Sequence, residues 1–333
     1  MVDIQPARPG ALTSIPAADL NLDSTLQCGQ VFHWTRHGAG YAGTIGHQPV
    51  YLEQRGDRLL LPVGCEEIVS RYLALDHPLG AIRATFPDDD LMRTSSATCV
   101  GLRIIRQPLW ECLATFITSA LKQVAHIALI SHLLRQRFGG AVGSVDGVTL
   151  FAYPDATRVA GLQEADLRQC GLGFRAKSLL GTAQRLHAAA GRGEDLLTEI
   201  RLLDRPEALR TLTSFPGVGT KVANCVLLFA YEHLDAFPID VWIERVLRET
   251  YFSSREGVTL PELQKFADGH FGPYRGYAQQ YLFHHARMTT PRRRSVDKAD
   301  APAPDRQTTP TRRVRPAPAR RTRSRVDVAP HDP

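Results

Sequence analysis

No run of about 18 apolar residues, the length a membrane-crossing helix needs, occurs anywhere in this 333-residue chain. A membrane is therefore not an expected partner. The opening MVDIQPARPG carries neither a basic stretch nor an apolar one, so no secretory leader is expected and the location is read as intracellular: cytoplasm and nucleoid in a bacterium, nucleus in a eukaryote. No Cys-x-x-Cys pair exists either. The six cysteines, at 28, 65, 99, 112, 170 and 225, are too widely spaced for a zinc ribbon or a tight iron–sulfur cluster. They read as buried thiols, and no metal or other cofactor is called for.

Basic charge is absent from most of the chain. Residues 1–290 hold 28 basic and 29 acidic side chains, whereas 291–333 hold 11 Arg and Lys298 against 5 Asp, so the whole net charge of +6 resides in the tail. That tail also has 8 of the 22 prolines and almost no large apolar residue. It cannot bury enough surface to offset its ordering entropy and is expected to be disordered. A polybasic arm suits a polyanion, nucleic acid before membrane, although a merely solubilising tail has the same composition.

At roughly 150 residues per domain, the length predicts two packed units or three small ones. Between Asp19 and Val63 short runs, VFHW, YAGTIG, PVYLEQ and RLLLPV, are broken by Gly-containing turns and predict an antiparallel meander. From Pro108 the pattern is helical almost throughout. The stretch from Pro108 to Gly139-Gly140 predicts two helices meeting near 119–122, and further helices are expected at about 155–161, 164–170, 175–191, 193–202, 205–214, 220–232, 241–251, 260–269 and 275–288. Segregated strands and helices make the class α+β: a small antiparallel sheet domain followed by a mostly helical body. The expected divisions are an extension at 1–16, the sheet domain at 17–104, the helical domain at 105–290 and the tail at 291–333.

The most informative segment is LTSFPGVGTKVANCVLLFAYEHLDAFPIDVW, Leu212–Trp242. A helix ends near Ser214, PGVGT makes a hairpin through Gly217 and Gly219, and Lys221 opens a second apolar helix. Two helices joined by a glycine hairpin expose backbone N–H groups to an approaching phosphate. The same pattern also serves as a plain structural corner. Nineteen residues after Lys221 stands Asp240, just past Pro238 and just ahead of another helix. A turn there returns the chain to the mouth of the Lys221 helix, where an amine and a carboxylate can share one pocket. Taken alone, Lys221 reads equally as a phosphate contact and Asp240 as a helix N-cap.

This segment resembles the helix-hairpin-helix, Gly/Pro-rich loop and catalytic Asp signature of the base-excision DNA glycosylases. Within them, PGVGTKVANC is similar to the 8-oxoguanine DNA glycosylases, and the similarity runs from about Ala17 to Arg287. The resemblance implies a lysine nucleophile at Lys221 and a catalytic carboxylate at Asp240. An attacking lysine must be a free amine, and both burial and a helix N-terminus disfavour its cation. Attack on the anomeric carbon of a flipped nucleotide gives an imine, and β-elimination then breaks the 3′ phosphate ester. The partner implied is double-stranded DNA containing an oxidised purine, met by a monomer.

The resemblance also implies a base pocket. The carbonyl of Gly29 matches the acceptor for the N7 hydrogen that 8-oxoguanine has and guanine lacks. Cys225, four residues after Lys221, and Phe283 match the pair that sandwiches the base. Gln279, one helical turn before Phe283, matches the reader of its Watson–Crick edge. Phe174 and Arg175 match the wedge and the contact to the orphaned base. Other positions depart from the family. Leu121-Lys122-Gln123 stands for an asparagine run, His126 for a second arginine reader, Trp242 for a histidine and Ala286 for a carboxylate. A weaker preference for cytosine opposite the lesion is expected in consequence.

Two rivals carry different predictions. A monofunctional alkylbase glycosylase shares the fold and Asp240 but has no use for Lys221. A non-enzymatic helix-hairpin-helix DNA-binding protein would place no constraint on 240, nor on Gly29, Cys225, Gln279 and Phe283 jointly.

Overall fold

The computed structural model describes residues 11–119 and 123–289. The alternation of the first third folds into five antiparallel strands, β1 (Leu12–Pro16), β2 (Thr35–His37), β3 (Gly40–Ile45), β4 (Gln48–Arg55) and β5 (Arg58–Pro62), in the order β1-β5-β4-β3-β2. β2 to β5 form the expected meander, joined by two-residue turns. The sheet starts earlier than the pattern suggests. β1, inside the stretch expected to be an extension, pairs along its whole length with β5, Leu12 facing Pro62 and Pro16 facing Arg58. Its sequence LTSIP has too few apolar residues to announce a strand, and β5 supplies the missing order. The VFHW run, expected to be extended, lies ahead of β2 without a ladder partner, and a helix foreseen by no pattern, α1 (Leu22–Gln27), precedes it.

The helices that follow are α2 (Glu66–Tyr72), α3 (Leu79–Arg83), α4 (Asp90–Thr98), α5 (Leu109–Ser119), α6 (Val124–Phe138), α7 (Ala156–Ala160), α8 (Glu164–Gln169), α9 (Arg175–Ala190), α10 (Leu196–Glu199), α11 (Arg205–Thr213), α12 (Thr220–Ala230), α13 (Val241–Tyr251), α14 (Leu260–His270) and α15 (Arg275–Thr289). The fold is α+β. The junction expected near 119–122 lies largely outside the described residues; α5 ends at Ser119 and α6 starts at Val124. One hairpin interrupts the helical body: β6 (Ala141–Val145) and β7 (Val148–Phe151) pair around Asp146-Gly147 and lean on Pro49 of β4. Asp-Gly between alternating apolar residues is a hairpin signal, and the helical context on either side obscured it.

Two apolar clusters form. Leu52, Leu59, Leu61, Val69 and Tyr72 pack the sheet against α1 and α2, and the helices enclose a larger cluster around Phe116, Leu228, Phe237 and Tyr277. The chain passes between them repeatedly. Cys28, at the end of α1, packs in the helical cluster, while Ile105 packs in the sheet cluster. Residues 102–107 are a largely buried strap outside any helix or strand, so its backbone groups find partners in side chains and in other segments. Thr25 and Gln30 accept from the N–H groups of Arg103 and Ile105, and the Tyr277 hydroxyl accepts from that of Ile104.

Candidate active site

α11, the hairpin and α12 form the expected helix-hairpin-helix. α9 clasps the turn: Thr182 donates to the Pro216 carbonyl at 3.0 Å and Arg185 to the Ser214 carbonyl at 2.9 Å, with the Arg185 guanidinium 4.2 Å from the centre of the Phe215 ring. The two glycines divide the work. Gly217 has a φ of +77°, and a Cβ there would lie 2.5 Å from the Ser178 Cβ, so it is glycine for packing. Gly219 caps α12, and a Cβ there would meet nothing within 4 Å. Its open face is the one a phosphate can approach.

α12 presents Lys221 in its first turn and Cys225 one turn on. The Lys221 Nζ stands 5.3 Å from the centre of the Phe116 ring on α5, and Phe116 in turn stacks on Phe229 of α12 with centroids 5.5 Å apart. α5 is held by Glu111, which pairs with Arg135 of α6, while Arg135 donates to the Thr44 hydroxyl of β3 at 2.9 Å. The lysine is thus seated on an aromatic floor that the sheet and helices brace together.

The chain leaves α12, passes the buried Ala236-Phe237 and reaches Asp240. Asp240 is an N-cap: its Oδ1 accepts from the N–H groups of Trp242 at 3.0 Å and Ile243 at 2.9 Å. Both bonds engage one oxygen, and the carboxylate also lies within electrostatic reach of Lys221. Burial pushes the Asp240 carboxyl above its ordinary value, opposed by the two N–H donors and by Lys221. Capping and facing the lysine coexist in one side chain. The Cys225 thiol is pushed up to about 11 by burial, with Lys221 pulling the other way, so it is a neutral, polarisable surface.

One cleft gathers these groups. Gly29, Lys221, Cys225, Asp240, Gln279 and Phe283 all line it, joined by Phe116, Phe229, Pro238 and Gln280, around about 300 Å³ of space open to solvent. Gln279 is 4% exposed, and its Oε1 has no hydrogen-bond partner. A buried amide oxygen without a partner costs about 1–3 kcal/mol, a cost that a ligand donor would relieve. Gly29 has a φ of +90°, and a Cβ there would stand 2.8 Å from the Arg287 Nη1 and 3.1 Å from the Phe283 Cε1. The positive φ favours glycine at this wall, and an added Cβ would also crowd the Phe283 ring.

Residues 13–113 match the family model for the 8-oxoguanine DNA glycosylase N-terminal domain. The N-glycosylase/DNA lyase OGG1 of Arabidopsis thaliana is 31% identical over 281 residues, 80% of this chain and 77% of that protein. The chain belongs to the 8-oxoguanine DNA glycosylase/lyase family. Among solved structures, MBOgg1 in complex with a low-affinity DNA ligand is 29% identical with a TM-score of 0.77, covering 86% of this chain and 98% of that one. The Clostridium acetobutylicum 8-oxoguanine glycosylase/lyase, bound to duplex DNA with cytosine opposite 8-oxoG, is 27% identical with a TM-score of 0.76, covering 86% and 99%.

Against this family background, the positions outside the cleft divide. Phe174 is 62% exposed and Arg175 is buried, its guanidinium 4.4 Å from the centre of the Phe174 ring and donating to the Leu172 carbonyl at 3.3 Å. An exposed aromatic braced by a buried cation is the reverse of a core Phe beside a surface Arg. His126 is exposed in the first turn of α6. Trp242 is half-buried, with Arg245 5.0 Å over its ring. Leu121 and Lys122 lie outside the described residues.

Four lining residues were not anticipated from the sequence. Phe229 sits one helical turn past Cys225 on the face that carries Lys221, so spacing alone could have found it. Phe116 and Pro238 carry no such signal, because only packing brings them to the cleft. Gln280 is adjacent to Gln279, and nothing in the local sequence separates their roles.

Proposed function

We propose that this chain removes 8-oxoguanine from duplex DNA and cleaves the resulting abasic site, with Lys221 as nucleophile. The observation that carries the reading is the cleft itself: an amine, a buried carboxylate and an unpartnered amide oxygen meet in a space walled by a thiol and an aromatic ring. The target is inside a base stack, so the nucleotide must be flipped out to reach Lys221. Cys225 and Phe283 take the two faces of the base. Gln279 Oε1 accepts from its Watson–Crick edge, and the Gly29 carbonyl accepts the N7 hydrogen. Guanine has a lone pair at N7 and leaves that carbonyl without a partner, which penalises it.

The Lys221 amine attacks C1′ as the glycosidic bond breaks and the base departs with its electron pair. The Asp240 carboxylate stabilises the positive charge developing on the sugar. Ring opening gives an imine between Lys221 and C1′. Loss of a C2′ proton then expels the 3′ phosphate, and hydrolysis frees the lysine. Borohydride reduces that imine to a stable amine, so trapping on an 8-oxoguanine duplex tests the proposal. A covalent complex in the wild type and none in Lys221→Gln is expected; trapping by both would overturn the assignment.

The remaining assignments belong to the same proposal. Phe174 fills the space beside the opened pair, and Arg175, braced against it, approaches the orphaned base. Gly217 shapes the hairpin and Gly219 receives the phosphate, while Trp242, with Arg245 on its ring, contacts DNA beside the flipped nucleotide. Leu121 and His126 replace readers of the opposite base and leave its selection weaker. The sheet domain spans 17–104 with β1 added, the helical domain 105–290, and the tail at 291–333 contributes sequence-independent contacts to phosphates. Among the described residues no helix is long and apolar enough to cross a membrane.

A further inference from the structure

In the reading above, the Gly29 carbonyl separates the lesion from guanine. It is a backbone group with no side chain to steer it. Gly29 belongs to no helix or strand, so no ladder fixes the direction of its peptide. Its φ of +90° lies in a region where glycine itself has wide freedom. A carbonyl that must receive a hydrogen bond at a set angle therefore needs support from elsewhere, because such bonds weaken steeply as the angle closes.

That support is a set of buried amides. Gln280 Nε2 donates to the Cys28 carbonyl at 3.2 Å, and Gln107 Nε2 donates to the Gln30 carbonyl at 2.7 Å. The carbonyls on both sides of Gly29 are thereby held, by side chains from two different parts of the chain. Gln30 is anchored in turn. Its Nε2 donates to the Thr25 and Arg103 carbonyls, both at 2.8 Å, and its Oε1 accepts from the Ile105 N–H at 3.0 Å. Gln30, Gln280 and Gln107 are 0%, 2% and 5% exposed. Gln107 is itself tied to the lysine helix, its N–H donating to the Phe229 carbonyl at 2.8 Å. Phe283 and Arg287 close the outer side of Gly29.

We infer that Gln280 and Gln107 are positioning residues for lesion recognition: by holding the Cys28 and Gln30 carbonyls they aim the carbonyl of Gly29 at N7 of the bound base. The inference rests on the function proposed above and assigns a specificity role to two side chains that act through the backbone. Gln279 and Gln280 are then adjacent amides with separate tasks, one facing the base and one holding the wall.

The test uses full-length chains carrying Gln280→Met or Gln107→Met, which keep side-chain volume and remove the donor. Binding of 8-oxoguanine and guanine duplexes is compared in a Lys221→Gln background. Cleavage of a preformed abasic site is measured with Lys221 intact, and thermal melting monitors folding. Loss of the aimed hydrogen bond is expected to shrink the preference for 8-oxoguanine over guanine by about 10-fold or more. In Gln107→Met, whose side chain is not part of the cleft lining, cleavage at an abasic site, which presents no base to read, should fall by no more than about threefold. A purely structural role would lower the melting temperature and reduce excision and cleavage together, with the preference intact; that result, in either soluble variant, overturns the inference. A wild type that discriminates beside two variants that discriminate equally well overturns it alone. A wild type with no preference overturns the underlying reading and this inference with it.

Discussion

The proposed catalytic corner and the proposed base-reading wall are built on opposite plans. Lys221, Cys225 and Asp240 come from one continuous stretch of twenty residues, set by a glycine hairpin, one helical turn and an N-cap. The facing wall takes Gly29 from the end of α1, Phe116 from α5, and Gln279 and Phe283 from α15. On the proposed reading, chemistry is local in sequence and recognition is assembled from afar. The difference implies that substitutions in the corner should abolish bond breaking, whereas substitutions in the wall should blur selection while leaving the lysine competent.

The largest effect is expected from Lys221→Gln, which should reduce both excision and borohydride cross-linking to background with the fold intact. Residual trapping at the wild-type level would place the nucleophile elsewhere and break the contrast at its root. Asp240→Asn comes next. Asparagine still caps α13, so folding should survive while single-turnover excision slows by roughly 10²-fold. Because burial raises the Asp240 carboxyl above its ordinary 3.8 and the carboxylate is the active form, wild-type excision should fade as pH drops through that raised value. The acid limb should therefore lie above 3.8 and disappear in Asp240→Asn. An unchanged rate in the variant would leave Asp240 as a cap and nothing more.

Within the hairpin, the two glycines sharpen the comparison between building a site and touching DNA. Gly217→Ala is expected to cost roughly 1–3 kcal/mol of stability, through its positive φ and its contact with Ser178. Gly219→Ala, which loses only the modest N-cap preference for glycine, should lower melting less than Gly217→Ala and weaken duplex binding more. Equal melting temperatures for the two variants would remove the distinction.

Selection of the opposite base should be shallow. With Leu121 and His126 in place of polar readers, single-turnover rates against the four opposite bases are expected to fall within a factor of about 10, since one bidentate contact is worth roughly 1–3 kcal/mol. A steep cytosine preference would show that Arg175 suffices. The smallest effect concerns the tail. Truncation after Thr290 should weaken lesion and undamaged duplex binding alike and flatten the salt dependence by about 0.9 in log–log slope for each phosphate that the arm neutralises. Identical slopes with and without the tail would mean it does not touch DNA.

Legibility followed the same divide. The helix boundaries from 205 onward were readable within a residue or two, because Asp204, Gly219, Asp240 and Thr259 mark the helix starts with capping residues. β1 was not, since a strand borrows its order from its partner and LTSIP has little alternation of its own, and the Asp146-Gly147 signal of the β6–β7 hairpin was lost among the helices on either side. In the cleft, Phe229 was accessible from spacing but Phe116 was not, and the adjacent Gln279 and Gln280 differ only in what surrounds them.

Local sequence is enough for the corner: a hairpin that must bend at Gly217, a lysine and a cysteine one turn apart, and an aspartate poised to start a helix. These follow from helical periodicity and local capping, which act over a few residues. Long-range packing, by contrast, brings Gly29 into the cleft with Lys221, leaves Gln279 with an unpartnered oxygen, and lets Gln280 and Gln107 grip the segment around Gly29. Those outcomes depend on burial and on satisfying polar groups across two packed clusters, and such constraints exist only once distant segments share the same small volume.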